Sequence, residues 1–245
     1  MAAIEEALGD ADTVLNVGAG AGSYEPQSRR VIAIEPSEVM AAQRPAHRVP
    51  AILATSDRLP MIDGAVDAAM TVLSLHHWDE HRERGIAEMR RVARGPVVVV
   101  TYDAAVSSTM WLMADYLPEV AELDQRTFPP IDEVARWLGG SVTVRPLPLR
   151  RDTPDWMLGS FWAHPERVLD ANARQATSGF ARMDSVVVER VVEAVRGDLS
   201  GGRWDANYGH LRELDELDVG LRLVVGRPGT VRPLSSETTP STTRS

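Results

Sequence analysis

An α/β fold built on a parallel sheet is what this sequence predicts, on three observations. Seven short apolar runs alternate with segments of helical periodicity. The early runs are apolar on both faces, as strands covered by helices are. The first of them leads straight into a glycine-rich turn, Gly18-Ala-Gly20-Ala-Gly22. A chain of 245 residues is also long enough to build a core of its own.

Each element follows in order. Residues 1–10 read as a short helix, and strands are predicted at 14–17, 31–35, 51–55, 66–75, 97–102, 141–147 and 221–226. Residues 79–94 carry Ile86, Met89 and Val92 on one side of a helix, and the helix at 131–138 stops at Gly139-Gly140. Two stretches break the alternation, about 104–130 and 152–212, both read as helical insertions. In the second, Asp184 is placed to cap a helix whose apolar stripe is Val187, Val188, Val191, Val192 and Val195. Residues 227–245 are rich in Pro, Ser and Thr with little to bury, so a disordered tail is expected after a domain at 1–226.

Composition narrows the chemistry. There is no cysteine, which excludes disulfides, thiolate metal sites and cysteine nucleophiles. All 26 basic side chains are arginine, which excludes Schiff-base chemistry and a P-loop lysine. A chain free of both residues suggests a GC-rich, bacterial genome. The net charge of −9 argues against a nucleic-acid partner. No apolar run nears the ~20 residues of a membrane span, and no basic-then-apolar leader opens the chain, so a cytoplasmic protein without a membrane partner is expected.

The glycine turn is the most informative segment. Its glycines let the backbone turn tightly and let a ligand approach main-chain N–H groups. The next predicted strand ends at Glu35, a carboxylate able to accept from both hydroxyls of a ribose. Together these describe either a dinucleotide site, whose loop reads G-x-G-x-x-G, or an S-adenosylmethionine site, whose loop reads G-x-G-x-G. The spacing here is the second; a tight turn with no ligand is the plain alternative. Further along come Thr55-Ser56-Asp57-Arg58-Leu59-Pro60, then Leu73-Ser74-Leu75-His76-His77-Trp78, then Met89-Arg90-Arg91-Val92 and an all-valine strand.

Taken in this order over residues 12–103, these motifs resemble the class I SAM-dependent methyltransferases, in particular the small-molecule methyltransferase type 11 group. The resemblance implies a Rossmann-like, doubly wound sheet of seven strands, the last antiparallel, with the helical insertions over the active-site edge. It implies S-adenosylmethionine as cofactor and S-adenosylhomocysteine as product. It assigns the methionine part of the cofactor to Gly18, Gly20 and Gly22, with Asn16 and Ala19 alongside. Glu35 takes the ribose, Pro36 lies against the adenine, and Thr55, Ser56 and Asp57 bracket the adenine edge. Leu73 and Ser74 fall near the reacting methyl. Many relatives have Asp at the position of Thr55, and many carry an extra aromatic-bearing helix before the first strand. Here that strand begins about a dozen residues in, so the start is truncated or another segment supplies the lid.

Methyl transfer needs alignment and exclusion of water, and a base only where the acceptor must lose a proton. Of the six histidines, His76 and His77 follow the fourth strand and are the candidate catalytic residues, His77 first. Packing or helix capping is the alternative for both. Two adjacent histidines on one turn do not converge on one ion, and no metal is expected. The insertions hold most of the aromatics; Trp111, Tyr116, Trp156 and Trp162 are expected to line the acceptor pocket, with core packing as the alternative. Arg145, Arg150 and Arg151 are either acid-binding or merely solvated. The expected activity is methylation of a small-molecule acceptor in bacterial specialised metabolism. A non-catalytic relative and an NAD-binding oxidoreductase are the rival readings.

Overall fold

In a computed structural model, described over residues 1–154 and 157–228, the chain forms the expected α/β sandwich. The strands are β1 (Thr13–Val17), β2 (Arg30–Ile34), β3 (Ala51–Ile52), β4 (Ala68–Val72), β5 (Val97–Tyr102) and β6 (Ser141–Pro146). A separate two-stranded ribbon pairs β7 (Leu149–Arg150) with β8 (Glu216–Leu217), and β9 (Leu221–Arg227) returns to the main sheet. The sheet order is β3-β2-β1-β4-β5-β9-β6. Pairs among β1 to β5 are parallel, whereas β9 runs antiparallel between β5 and β6, with Val99 opposite Val224 and Thr143 opposite Val225.

The all-apolar strands are covered on both faces. Leu15, Val17, Ala69, Val97 and Val99 face one layer, where α3 (Arg82–Val92) and α6 (Ile131–Leu138) bring Ile86, Met89, Val134 and Leu138. Val14, Met70, Val98 and Val100 face the other, made of α1 (Ala2–Leu8) and the insertions. The alternation of side chains along each strand splits the core this way. The edge strand β6 is largely exposed and carries Arg145 and Pro146, residues that discourage further pairing.

The first insertion contains α4 (Ala104–Ser107), a π-helical turn at Leu112–Tyr116 and α5 (Pro118–Thr127). The second contains α7 (Ala171–Gln175), α8 (Ser178–Ala181), α9 (Ser185–Ser200) and α10 (Arg203–Tyr208); the remaining helix, α2 (Glu38–Ala42), follows β2. Val191, Val192 and Val195 of α9 are buried as the stripe predicts. Asp184 sits at its N-cap, but its side chain makes no capping bond, so packing rather than capping holds this helix.

Several boundaries differ from the sequence reading; the second strand, for one, ends at Ile34 rather than Glu35. The third strand shrinks to two residues, and the fourth ends at Val72 because Leu73 takes a left-handed backbone, φ 52. The last strand runs one residue past 226, and residues 229–245 of the expected tail lie outside the described residues. No helix among the described residues is long and apolar enough to cross a membrane.

Candidate active site

The strand order reverses between β1 and β4, and the loops leaving their carboxyl ends part company there. Such a switch point opens a crevice for a ligand. The crevice here is a cavity of about 630 Å3. Its floor is the glycine turn. Gly18 has φ 70, and a Cβ added to it would stand 1.8 Å from Ser74 Oγ, so glycine is required by both backbone and space. Gly20 has φ 50 and is held from both sides: its N–H donates to Glu35 Oε2 at 2.8 Å, and its carbonyl accepts from Arg44 Nη1 at 3.0 Å. Glu35 Oε1 accepts from the Ser37 N–H at 2.9 Å. A carboxylate has about four acceptor sites, so Glu35 keeps capacity for ribose hydroxyls after these two bonds.

Around the floor stand Ala19, Pro36, Thr55, Ser56, Asp57, Leu73 and Ser74, all anticipated from sequence. The Thr55 hydroxyl beside Asp57, followed by His81 and Arg84, holds its carboxyl below the usual range. The sequence reading missed Tyr24, Met40, Trp78 and His81, which line the same cavity. Trp78 Nε1 donates to Ser74 Oγ at 3.2 Å and so braces the turn under Gly18. An accepting carboxylate at the strand tip, flanking apolar walls and a loop of small residues with main-chain N–H groups fit an adenosyl group with an amino-acid tail.

Asn16 and Gly22 do not reach the cavity wall. Asn16 Nδ2 donates to Glu25 Oε1 at 3.2 Å, and Gly22 lies against Glu25 and Arg44. That pair is the buried brace of the turn. Arg44 Nη2 donates to both Glu25 oxygens, at 2.7 and 2.9 Å, with the two side chains only 3% and 1% exposed.

A second cavity, about 170 Å3, lies under the insertions. Leu73 and His77 line both cavities and form the wall between them. The left-handed backbone of Leu73 at this junction is the kind of strain that gathers at functional sites. His77 remains exposed, yet partial desolvation, then the Arg182 charge, lowers its pKa. His76 lines only the second cavity; burial and then His77 push its pKa down to about 3. Its ring meets His77 and Phe128 in tilted contacts, with centroids 3.8 and 4.5 Å apart. Tyr102, whose hydroxyl donates to Met157 Sδ at 3.1 Å, and Asp124 complete much of the wall. Burial pushes Asp124 up to about 6, with Arg182 acting against it.

The aromatic assignments need correction. Trp111, Tyr116 and Trp162 line neither cavity. They are core: Trp111 Nε1 donates to the Trp162 carbonyl at 2.9 Å, its ring meets Tyr116 edge-on, and the Tyr116 hydroxyl donates to Asp198 at 2.7 Å. Trp156 lies outside the described residues. Arg145, Arg150 and Arg151 are ion-paired with Glu6, Asp152 and Asp215 and are likewise away from both cavities.

Comparison with known proteins agrees with this geometry. A family model described as a methyltransferase domain, of the type 11 group, matches residues 15–100. A candidate methyltransferase from an antibiotic biosynthesis pathway of Anabaena variabilis is 32% identical, with a TM-score of 0.82, over 88% of this chain and 90% of that one. Two more distant structures share the fold. A SAM-dependent methyltransferase of Thermotoga maritima is 16% identical, with a TM-score of 0.53, over 92% of this chain and 86% of its own. A Haemonchus contortus phosphoethanolamine N-methyltransferase, bound to S-adenosylhomocysteine, is 12% identical with the same TM-score of 0.53, over 93% and 52%. No curated protein matches. The chain belongs to the class I SAM-dependent methyltransferases, and its cofactor is S-adenosylmethionine.

Proposed function

We propose that the chain transfers the methyl group of S-adenosylmethionine to a small-molecule acceptor seated in the second cavity. One observation carries this reading: the larger cavity, shaped for the cofactor, and the smaller one meet at a single wall made by Leu73 and His77. Bacterial specialised metabolism is its proposed setting, supported by the pathway named for the Anabaena protein.

When bound, the cofactor supplies a methyl already activated on a positive sulfur, which keeps the S–C electron pair as the acceptor's lone pair takes the methyl. The protein's part is placement. Gly18, Ala19 and Gly20 admit the amino-acid tail, Glu35 accepts from the ribose, and Pro36, Thr55, Ser56 and Asp57 flank the adenine. Asn16 and Gly22 act from beneath, through the Glu25–Arg44 brace. Leu73 and Ser74 shape the passage to the acceptor, and the insertions exclude water from it. His77 is the proposed base. Its lowered pKa keeps the imidazole neutral at pH 7, with a ring nitrogen free to take the acceptor's proton. His76 is the more deeply buried of the two and is assigned the role of holding the His77 ring by tilted ring contact.

The test is calorimetric titration with S-adenosylhomocysteine, with NAD as control, followed by turnover of His77→Ala. Micromolar binding of the first and none of NAD, with slowed turnover and unchanged cofactor affinity in the variant, is the expected result. Equal rates in variant and wild type would remove His77 as base.

A further inference from the structure

Resting on the functional reading above, we infer that the acceptor is a molecule of single-ring size carrying a protonated amine, and that Asp124 is the residue that holds it. The size follows from the cavity. An apolar cavity of about 150 Å3 accommodates benzene, and this one is about 170 Å3.

The charge follows from what lines it. Asp124 sits beside Val120, Leu123, Phe128, Met157 and Leu158, in a lining that also holds His76, His77, Tyr102, Ser178 and Arg182. It lies on α5, one turn before Phe128, and its backbone carbonyl is used in the helix end. Among the described residues nothing hydrogen-bonds or ion-pairs its carboxylate. A partly buried carboxylate with no protein partner calls for a cation or donors to replace lost water. The two imidazoles supply no positive charge, since both are neutral at pH 7. Arg182 lines the same cavity and its charge is felt by Asp124, but its side chain is exposed and makes no hydrogen bond or ion pair with that carboxylate.

Ser107 also lines this cavity, but it is only 1% exposed and its Oγ is sealed in the wall rather than open to the cavity. A cationic nitrogen with N–H groups answers the need of the Asp124 carboxylate. An anionic acceptor would face Asp124 as a like charge, and a neutral one would leave it unpaired.

The experiment uses the full chain saturated with S-adenosylhomocysteine. It is titrated with benzylamine, benzyl alcohol and benzoate, three probes of similar shape that differ in charge. Benzylamine is expected to bind at least about ten-fold more tightly than the other two, the factor that one well-placed charge pair supplies. Asp124→Asn should erase this preference while leaving S-adenosylhomocysteine affinity unchanged, and Arg182→Gln should leave the preference in place. Three results overturn the inference: tightest binding of benzoate, no preference among the probes, or no binding of any probe to a chain that binds S-adenosylhomocysteine. Persistence of the preference in Asp124→Asn would also overturn it. Should S-adenosylhomocysteine itself not bind, the functional reading falls, and this inference with it.

Discussion

Arg44→Met is the perturbation that most directly tests how the glycine turn is held. In the wild type, the Glu25 carboxylate is satisfied by two bonds from Arg44 and one from Asn16 Nδ2. The same guanidinium also donates to the Gly20 carbonyl and, through Nε, to the Val49 carbonyl at 2.9 Å. Methionine fills a similar volume but donates nothing, so Glu25, 1% exposed, is left with one donor. Removing one partner of a buried pair costs about 3–5 kcal/mol, because the survivor stays buried and charged. Against a total stability of about 5–15 kcal/mol, urea denaturation reads such a loss easily. Gly20 also loses one of the two bonds that orient its peptides, so affinity for S-adenosylhomocysteine should fall in parallel. The double variant Glu25→Met/Arg44→Met separates the two effects. Replacing both charges with apolar groups should restore most of the stability, but not the cofactor affinity, since Gly20 still lacks its anchor. A loss of under about 1 kcal/mol in Arg44→Met, or full cofactor affinity in the double variant, would refute the argument that this brace positions the turn.

Glu35→Ala should weaken S-adenosylhomocysteine binding by about 1.5–3 kcal/mol, the worth of hydrogen bonds to a charged group; unchanged affinity by calorimetry would take Glu35 out of the site. Asp124, raised to about 6, contributes stability that is fully present below its unfolded value near 3.8 and is lost as pH rises through about 6. Asp124→Asn should therefore match wild type in melting temperature at pH 4 and exceed it at pH 7.5, and equal melting at both pH values would contradict the burial of that carboxylate. In Asp124→Asn, turnover of an acceptor that must lose a proton should rise with pH to a plateau, with its midpoint below the ordinary histidine value of 6.5 because burial and Arg182 depress His77. Adding His77→Ala should remove that limb, and its survival would assign the proton to another group.

Much of the fold was legible because its signals are local. Val14 to Val17, Val97 to Tyr102 and Leu221 to Gly226 are runs too apolar for anything but covered strands, and Gly18 and Gly20 mark a turn that other residues cannot make. Glu35 was legible because a carboxylate one residue past a strand beside that turn has one place to point. The inserted helices were legible as helices and not as walls. Aromatic content does not say whether a ring faces a cavity or a core, and Trp111, Tyr116 and Trp162 face the core. Asn16 was placed near the cofactor by its position before the turn, yet its buried side chain turns to Glu25, a partner nine residues on.

The sequence by itself determined the parallel sheet, the glycine-rich turn and the acid at its rim, each marked by a short run of neighbouring residues. Only the tertiary structure decided that Asp124, Ser107 and Arg182 share a cavity and that His77 stands in the wall between two. On its own helix Asp124 looks like any solvated acid. It becomes a partly buried carboxylate only because the segments at 157–159 and 178–182 close the same cavity, and no local pattern records which distant surface will face a residue.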